Sequence, residues 1–169
     1  KLELPGIGVN DITAFTELKK LEELDISRNA ISDFSALAKF PNLNSLNINS
    51  TFRGKLDSFP YLASLKNLDI GQNEISTLQV YEVFRQLKPC ANISTLSISN
   101  NTITNLYALV NDGSTTIVFP NLEVLHAEAN GMYALAGVGV YQKLKELYVA
   151  NNVVKDLDPA FKLTNLEVL

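Results

Sequence analysis

One pattern governs what this chain can fold into: aliphatic residues return in a single frame along its whole length. The run from Leu21 to Ile31, Leu-Glu-Glu-Leu-Asp-Ile-Ser-Arg-Asn-Ala-Ile, reads L-x-x-L-x-L-x-x-N-x-I. The frame recurs at Leu65, Leu68, Ile70, Asn73 and Ile75, and at Ile93, Leu96, Ile98, Asn101 and Ile103. Leu144, Leu147, Val149, Asn152 and Val154 fit it again, and Leu122, Leu125, Ala127, Asn130 and Met132 fit with one small residue. A degenerate first copy is placed at Leu2, Pro5, Ile7, Asn10 and Ile12, and a last one opens at Leu166 and reaches Leu169. The copies therefore start at 2, 21, 43, 65, 93, 122, 144 and 166, with separations of 19, 22, 22, 28, 29, 22 and 22. A fixed period in this range is the mark of stacked coils.

The spacing carries its own physics. L-x-L has period two, so it forms a short strand with both aliphatic side chains on one side. The Asn then turns the chain, its amide satisfying backbone groups inside the bend. The return leg folds further apolar residues over the core: Phe34, Leu37 and Phe40 in one copy, Leu106 and Leu109 in another. A lone coil cannot bury its apolar edge, whereas stacked coils bury each other's at roughly 4.8 Å per strand. Eight strands are expected in one parallel sheet. One copy departs: Leu43, Leu46 and Ile48 fit, but Thr51 replaces the Asn and Arg53 the Ile. A distorted turn is expected there, filled by Phe52 or Leu56.

The frame, and the segment Ile31-Ser32-Asp33-Phe34-Ser35-Ala36-Leu37 with its I-x-D-x-x-x-L spacing, resemble the 22-residue leucine-rich repeats of protein phosphatase type 1 regulatory subunits. Related repeats occur in tubulin-folding cofactors, axonemal dynein light chains and bacterial internalins. The resemblance covers essentially the whole chain. It implies an α/β fold: a right-handed leucine-rich-repeat solenoid, or horseshoe, with a concave parallel sheet and helical or 3-10 legs on the convex side. Residues 1–169 are read as one such solenoid of about seven repeats and a truncated eighth, cut from a longer chain.

Two repeats are long, and their extra residues follow the strand. Thr77 to Lys88 reads as an amphipathic helix through Leu78, Tyr81, Phe84 and Leu87, stopped by Pro89. Asn111 to Ser114 is a turn-rich loop after a short helical leg over residues 105–110. Both additions read as growth on the convex side or rim.

The third, fifth, seventh and eighth residues of each frame face away from the core. The candidate partner-binding set taken from them is Glu23, Asp25, Arg28, Asn47, Asn49, Asp69, Gln72, Ser97, Asn100, His126, Glu128, Glu146, Tyr148 and Asn151. The fifth-residue column runs Asp25, Asn47, Asp69, Ser97, His126, Tyr148, which makes His126 and Tyr148 neighbours on adjacent strands. Acids outnumber bases on this face, so a protein partner with a basic or polar surface is complementary. The competing reading of any one of these residues is ordinary solvated sheet.

Other classes find little support in the residues. The net charge of −4 disfavours a general nucleic-acid or anionic-membrane binder. No apolar run approaches the roughly 18 residues of a membrane span. Gly6-x-Gly8 and Gly137-x-Gly139 lack the third glycine of a dinucleotide loop. His126, the sole histidine, has Glu128 and Glu146 nearby in the frame, but three ligands of suitable softness and geometry are not evident. Catalytic residues, metals and cofactors are therefore not expected. A single cysteine, Cys90, leans towards an intracellular setting, cytoplasmic or nuclear. Sequons at Asn49 and Asn100 near the strands lean the same way, because glycans there would obstruct the face.

The reading is a non-catalytic scaffold that docks a protein on its concave strands, resembling a phosphatase regulator or cytoskeleton-associated adaptor. An extracellular, internalin-like adhesion module is the alternative, and a recognition domain of a larger enzyme is a third. A signal peptide or anchor elsewhere in the gene separates the second from the first.

Overall fold

A computed structural model of the chain describes residues 1–52, 56, 58–77, 79, 82, 83, 87, 91–107 and 117–169. Seven strands form one parallel sheet in chain order. They are β1 (Leu2–Glu3), β2 (Glu23–Asp25), β3 (Ser45–Asn47), β4 (Asn67–Asp69), β5 (Thr95–Ser97), β6 (Val124–His126) and β7 (Glu146–Tyr148). The register places Leu24, Leu46, Leu68, Leu96, Leu125 and Leu147 in one line. All six are buried, as are Ile26, Ile48, Ile70, Ile98 and Ala127 two residues further on. The period-two pattern thus does what its geometry requires, and the core lies between this ribbon and the return legs. The eighth copy contributes a single parallel bridge, Glu146 to Val168, rather than the full strand expected from its leucines.

The return legs are short 3-10 turns where they are regular: Thr13–Phe15, Ser35–Lys39, Val138–Val140 and Ala160–Lys162. The last three bury Leu37, Val138 and Ala160, while in the first Phe15 packs only partly against the core. Phe34 and Leu37 are buried in the second copy, and Leu106 in the fifth. Leu109 lies outside the described residues. Three residues before five of the frames sits another buried column: Phe40, Leu62, Phe119, Tyr141 and Leu163; before the copy at Leu21 the equivalent Leu18 is exposed. Burial pushes the Tyr141 phenol well above its ordinary value of 10.0. In the 77–88 insertion, Thr77, Gln79, Glu82, Val83 and Leu87 are helical, and Val83 and Leu87 are buried. Leu78, Tyr81, Phe84 and the 111–114 loop lie outside the described residues.

Two asparagine ladders tie the coils together. The first is the expected one. Asn101 donates from Nδ2 to the carbonyls of Ile70, Ile98 and Ser99, and its Oδ1 accepts the backbone N–H groups of Asn73 and Ile75. Asn29, Asn73, Asn130 and Asn152 each donate to three carbonyls in the same manner. The second ladder, which the frame did not reveal, uses the residue just before each copy. Asn42, Asn92, Asn121 and Asn165 donate to the carbonyls of Lys19, Ala63, Ala91 and Gln142 in the preceding coil, and Ser64 donates to Pro41.

At the irregular copy, the Thr51 hydroxyl faces the carbonyls of Ile26 and Asn49, and Asn73 Oδ1 accepts N–H groups from Thr51 and Phe52. At Asn101 and Asn152 the two donors are two residues apart; here they are adjacent. The turn is shortened by one residue, and both Phe52 and Leu56 are buried in the gap. Phe52 meets Phe34 edge-on at 5.9 Å between ring centres.

The first copy is corrected. Leu2 pairs with Leu24, not with Leu21, so it is the fourth residue of its frame and Leu4 the sixth. Ile7 then stands where Asn is usual and is 64% exposed, while Val9 takes the eleventh position and accepts a bond from Ala30 N–H. Asn10 is exposed and sits outside the ladder. The separation between the first two copies becomes 22, from Leu2 to Leu24, rather than 19. Leu2 misled because a leucine three residues late in the frame imitates its start.

Candidate functional site

The outward side chains of the strands form columns one residue wide. The fifth-residue column is set by the register: Glu3, Asp25, Asn47, Asp69, Ser97, His126 and Tyr148 follow one another across the sheet. Glu3 belongs to the face and was missed with the first frame. Lys1 lies beside it, 2.9 Å from Glu3 and 3.4 Å from Glu23. A shallow depression of about 130 Å³ opens there, lined by Lys1, Glu3, Glu23, Asp25, Ser45 and Asn47 among others.

Backbone geometry fixes the rim of the face. The eighth residue of every copy takes a positive φ: Gly6 at 65°, Arg28 at 56°, Ser50 at 52°, Gln72 at 52°, Asn100 at 56°, Ala129 at 52° and Asn151 at 56°. This left-handed step lets the chain leave the strand and enter the Asn turn. It also aims Arg28, Gln72, Asn100 and Asn151 into solvent, and all four are exposed. Gln72 Oε1 accepts from the Ser50 hydroxyl at 2.9 Å.

Three of the expected site residues work for the fold. Asp25, Asn47 and Asp69 each accept, through Oδ1, the backbone N–H two residues on, from Ser27, Asn49 and Gly71. These bonds close Asx turns that start the bend. The other oxygen of Asp25 accepts from Asn47 Nδ2 at 3.0 Å, so both Asp25 oxygens are used. Asp69 has its second oxygen unengaged among the described residues. Asn49 packs over Gly71: a Cβ on Gly71 would lie 2.8 Å from Asn49 Nδ2 and 2.9 Å from the Ser99 carbonyl.

The structure brings five residues together at the far end of the face. The His126 and Tyr148 rings stack, 4.5 Å apart and 2° from parallel. Tyr148 donates its hydroxyl to Glu146 at 2.8 Å, and that bond, with some burial, raises the phenol above its ordinary value. His126 Nδ1 lies 3.4 Å from Glu128, whose other oxygen accepts from the Ser99 hydroxyl. Burial pushes the Glu128 carboxyl up, but bonds from Ser99, its own N–H and His126 outweigh it and hold the group below its ordinary 4.5. The result is a flat aromatic pair edged by two carboxylates. Ser97 stands between this cluster and Asp69, while Glu23 and Arg28 lie at the opposite end.

Among the described residues, no group of three His, Cys, Asp or Glu side chains is arranged to hold a metal. No described helix is long and apolar enough to cross a membrane.

Comparison with known proteins follows the geometry. Residues 19–63 match the family model described as Leucine Rich repeats (2 copies). No curated protein sequence matches the chain. Among solved structures, internalin C2 of Listeria monocytogenes is similar, with 22% identity and a TM-score of 0.65 over 99% of this chain and 79% of its own. TLR13, solved in complex with ssRNA13, is similar at 24% identity and a TM-score of 0.69, over 95% of this chain and 22% of its own. A leucine-rich-repeat protein of Leptospira interrogans is similar at 21% identity and a TM-score of 0.62, over 95% of this chain and 45% of its own. The aligned leucines, the Asn ladder and these likenesses together make the fold a leucine-rich-repeat solenoid.

Proposed function

We propose that this chain is a non-catalytic recognition module that binds a protein partner on its concave strand face. The observation that carries the reading is the face itself: seven strands in one register present an unbroken fifth-residue column of polar side chains, flanked at the two strand ends by asparagine ladders. Repeat stacking of this kind offers a large preformed surface, which lowers the ordering cost of association. Tyr148 and His126 supply an aromatic pair at one end of the face, and tyrosine is enriched among residues that dominate interfaces. The partner contacts run from Glu23 and Asp25 through Asp69 to Glu128 and Glu146, so its surface is basic or polar.

Photo-crosslinking tests this. A crosslinkable residue is placed at Asn67 or Thr95 on the strands, or at Lys39 or Lys162 on the convex turns. The proteins are then exposed to extract of the source cells. Adducts formed from the strand positions and not from the convex ones support the reading. Adducts from the convex turns alone, or equally from both, overturn it.

An intracellular setting is proposed alongside. Its support is that the amide of Asn49 lies over Gly71, and that of Asn92, in the further sequon Asn92-Ile93-Ser94, donates to the Ala63 carbonyl. Secretion of the native protein with glycan on Asn49, seen by mass spectrometry, overturns it.

A further inference from the structure

The fifth-residue column contains a step. Ser97 pairs with Asp69 on one side and with His126 on the other. The serine side chain is short, whereas the imidazole stands tall because Tyr148 stacks on its far face. Among the described residues, the near face of His126 therefore rises over Ser97 without a ring against it. Asp69 and His126 are two strand spacings apart, roughly 9.6 Å. That gap, floored by a hydroxyl, has the thickness of one flat group lying on an aromatic ring.

The charges around the step share one sign. Asp69 offers an oxygen that is unengaged among the described residues, its partner oxygen being held by Gly71 N–H. Glu128 sits at the rim, fixed by Ser99 and beside His126. Among the described residues, the one lysine bonded to a carboxylate near β7 is Lys145, and it is committed to Glu123 at 2.7 Å. An occupant must be flat, cationic and able to donate hydrogen bonds in its own plane to two carboxylates. A guanidinium has this shape and stacks on aromatic faces; an ammonium is a compact, strongly hydrated point charge with no plane to stack.

We infer that the step between Asp69 and His126, floored by Ser97, receives an arginine side chain of the protein partner. The inference rests on the concave-face reading and names the chemistry that the face selects. The guanidinium lies against the open face of His126, directs N–H groups to Asp69 and Glu128, and covers the Ser97 hydroxyl.

The sole histidine makes the test direct, because the ring of His126 gives one isolated set of NMR resonances. The probes are N-acetyl-arginine amide and N-acetyl-lysine amide, titrated into the whole chain at neutral pH. Arginine is expected to move the His126 ring signals saturably in the millimolar range, at least about threefold more tightly than lysine. Asp69→Asn keeps the turn, since Asn47 makes the same bond in the neighbouring coil, and is expected to weaken the response about threefold or more. Ser97→Tyr fills the step and is expected to abolish the response, with an otherwise unchanged amide spectrum showing that the fold stands. An equal response to lysine, or a response that survives both substitutions, overturns the inference. If the strand-face crosslinks form but arginine has no effect, only the arginine assignment falls. If those crosslinks fail, the concave-face reading falls on its own evidence.

Discussion

The backbone N–H of Asn73 donates to Oδ1 of Asn101 at 3.0 Å, across 28 residues of sequence. Asn73 in turn accepts from Thr51 and Phe52 of the coil before it. Each asparagine is thus acceptor for the preceding turn and donor to carbonyls of both coils. Removing one strips partners from buried groups in two coils at once, and an unpaired buried donor or acceptor costs about 1–3 kcal/mol.

Asn101→Ala is expected to lower unfolding free energy by about 3 kcal/mol or more, read from urea denaturation at constant slope. Asn10→Ala is the control. Because the register puts Asn10 outside the ladder, its effect should stay within about 0.5 kcal/mol. A large loss at Asn10 would restore the frame first read from the sequence and refute the register at β1.

Thr51→Asn is expected to stabilise the chain by roughly 0.5–2 kcal/mol, as repair of a repeat towards its own consensus commonly does. The hydroxyl of Thr51 faces two carbonyls, but it has one proton to give, whereas an amide has two and adds an acceptor. A rise in melting temperature of a few degrees is the readout. A fall shows that the shortened turn around Phe52 has closed the space.

Ala129 is an alanine in the left-handed region, at φ 52°. That conformation costs a residue with a Cβ about 1–2 kcal/mol, and asparagine tolerates it better. Asn100 and Asn151 already occupy the same place in the flanking coils. Ala129→Asn is therefore expected to stabilise by about 0.5–1 kcal/mol in chemical denaturation. Gly71→Ala moves the other way, because its new Cβ would press on the Ser99 backbone oxygen at 2.9 Å.

Acid should loosen the far end of the concave face. Glu128 is held below its ordinary 4.5 in the fold. A group depressed in this way contributes stability that is complete above the unfolded value and disappears as pH falls through the folded one. Wild type should lose more stability than Glu128→Gln between about pH 6 and pH 3. Identical acid profiles for the two proteins would show that the Ser99 and His126 bonds leave Glu128 energetically uncoupled.

Most of the architecture was legible because the inward aliphatics and the Asn are the pattern; position alone implied Leu24 beside Leu46, and His126 beside Tyr148. The misses have local causes. At the first coil, Leu2 and Leu4 precede an Ile in the Asn position, and only pairing with Leu24 fixes the frame. The second ladder sits in unremarkable Asn-Leu and Asn-Ile pairs, at Asn42, Asn92, Asn121 and Asn165, whose amides matter only once the coils stack. The sequence placed Asp25 and Asp69 on the outward side of their strands but did not show that one oxygen of each closes its own turn. Val83 packs inward from the insertion, a place its helical spacing did not assign to it.

The ladder recognises backbone, not side chains. In the first ladder an asparagine joining two coils touches only carbonyls and N–H groups of its neighbour, so that seam is the same whichever residues decorate the outside. Excising or duplicating a whole coil restores every seam, and the cut can begin anywhere in the coil. Slipping by a single residue restores none. Change in such a chain is therefore digital in length and free in surface, which lets the outer face be rewritten for a new partner while the interior stays as it is.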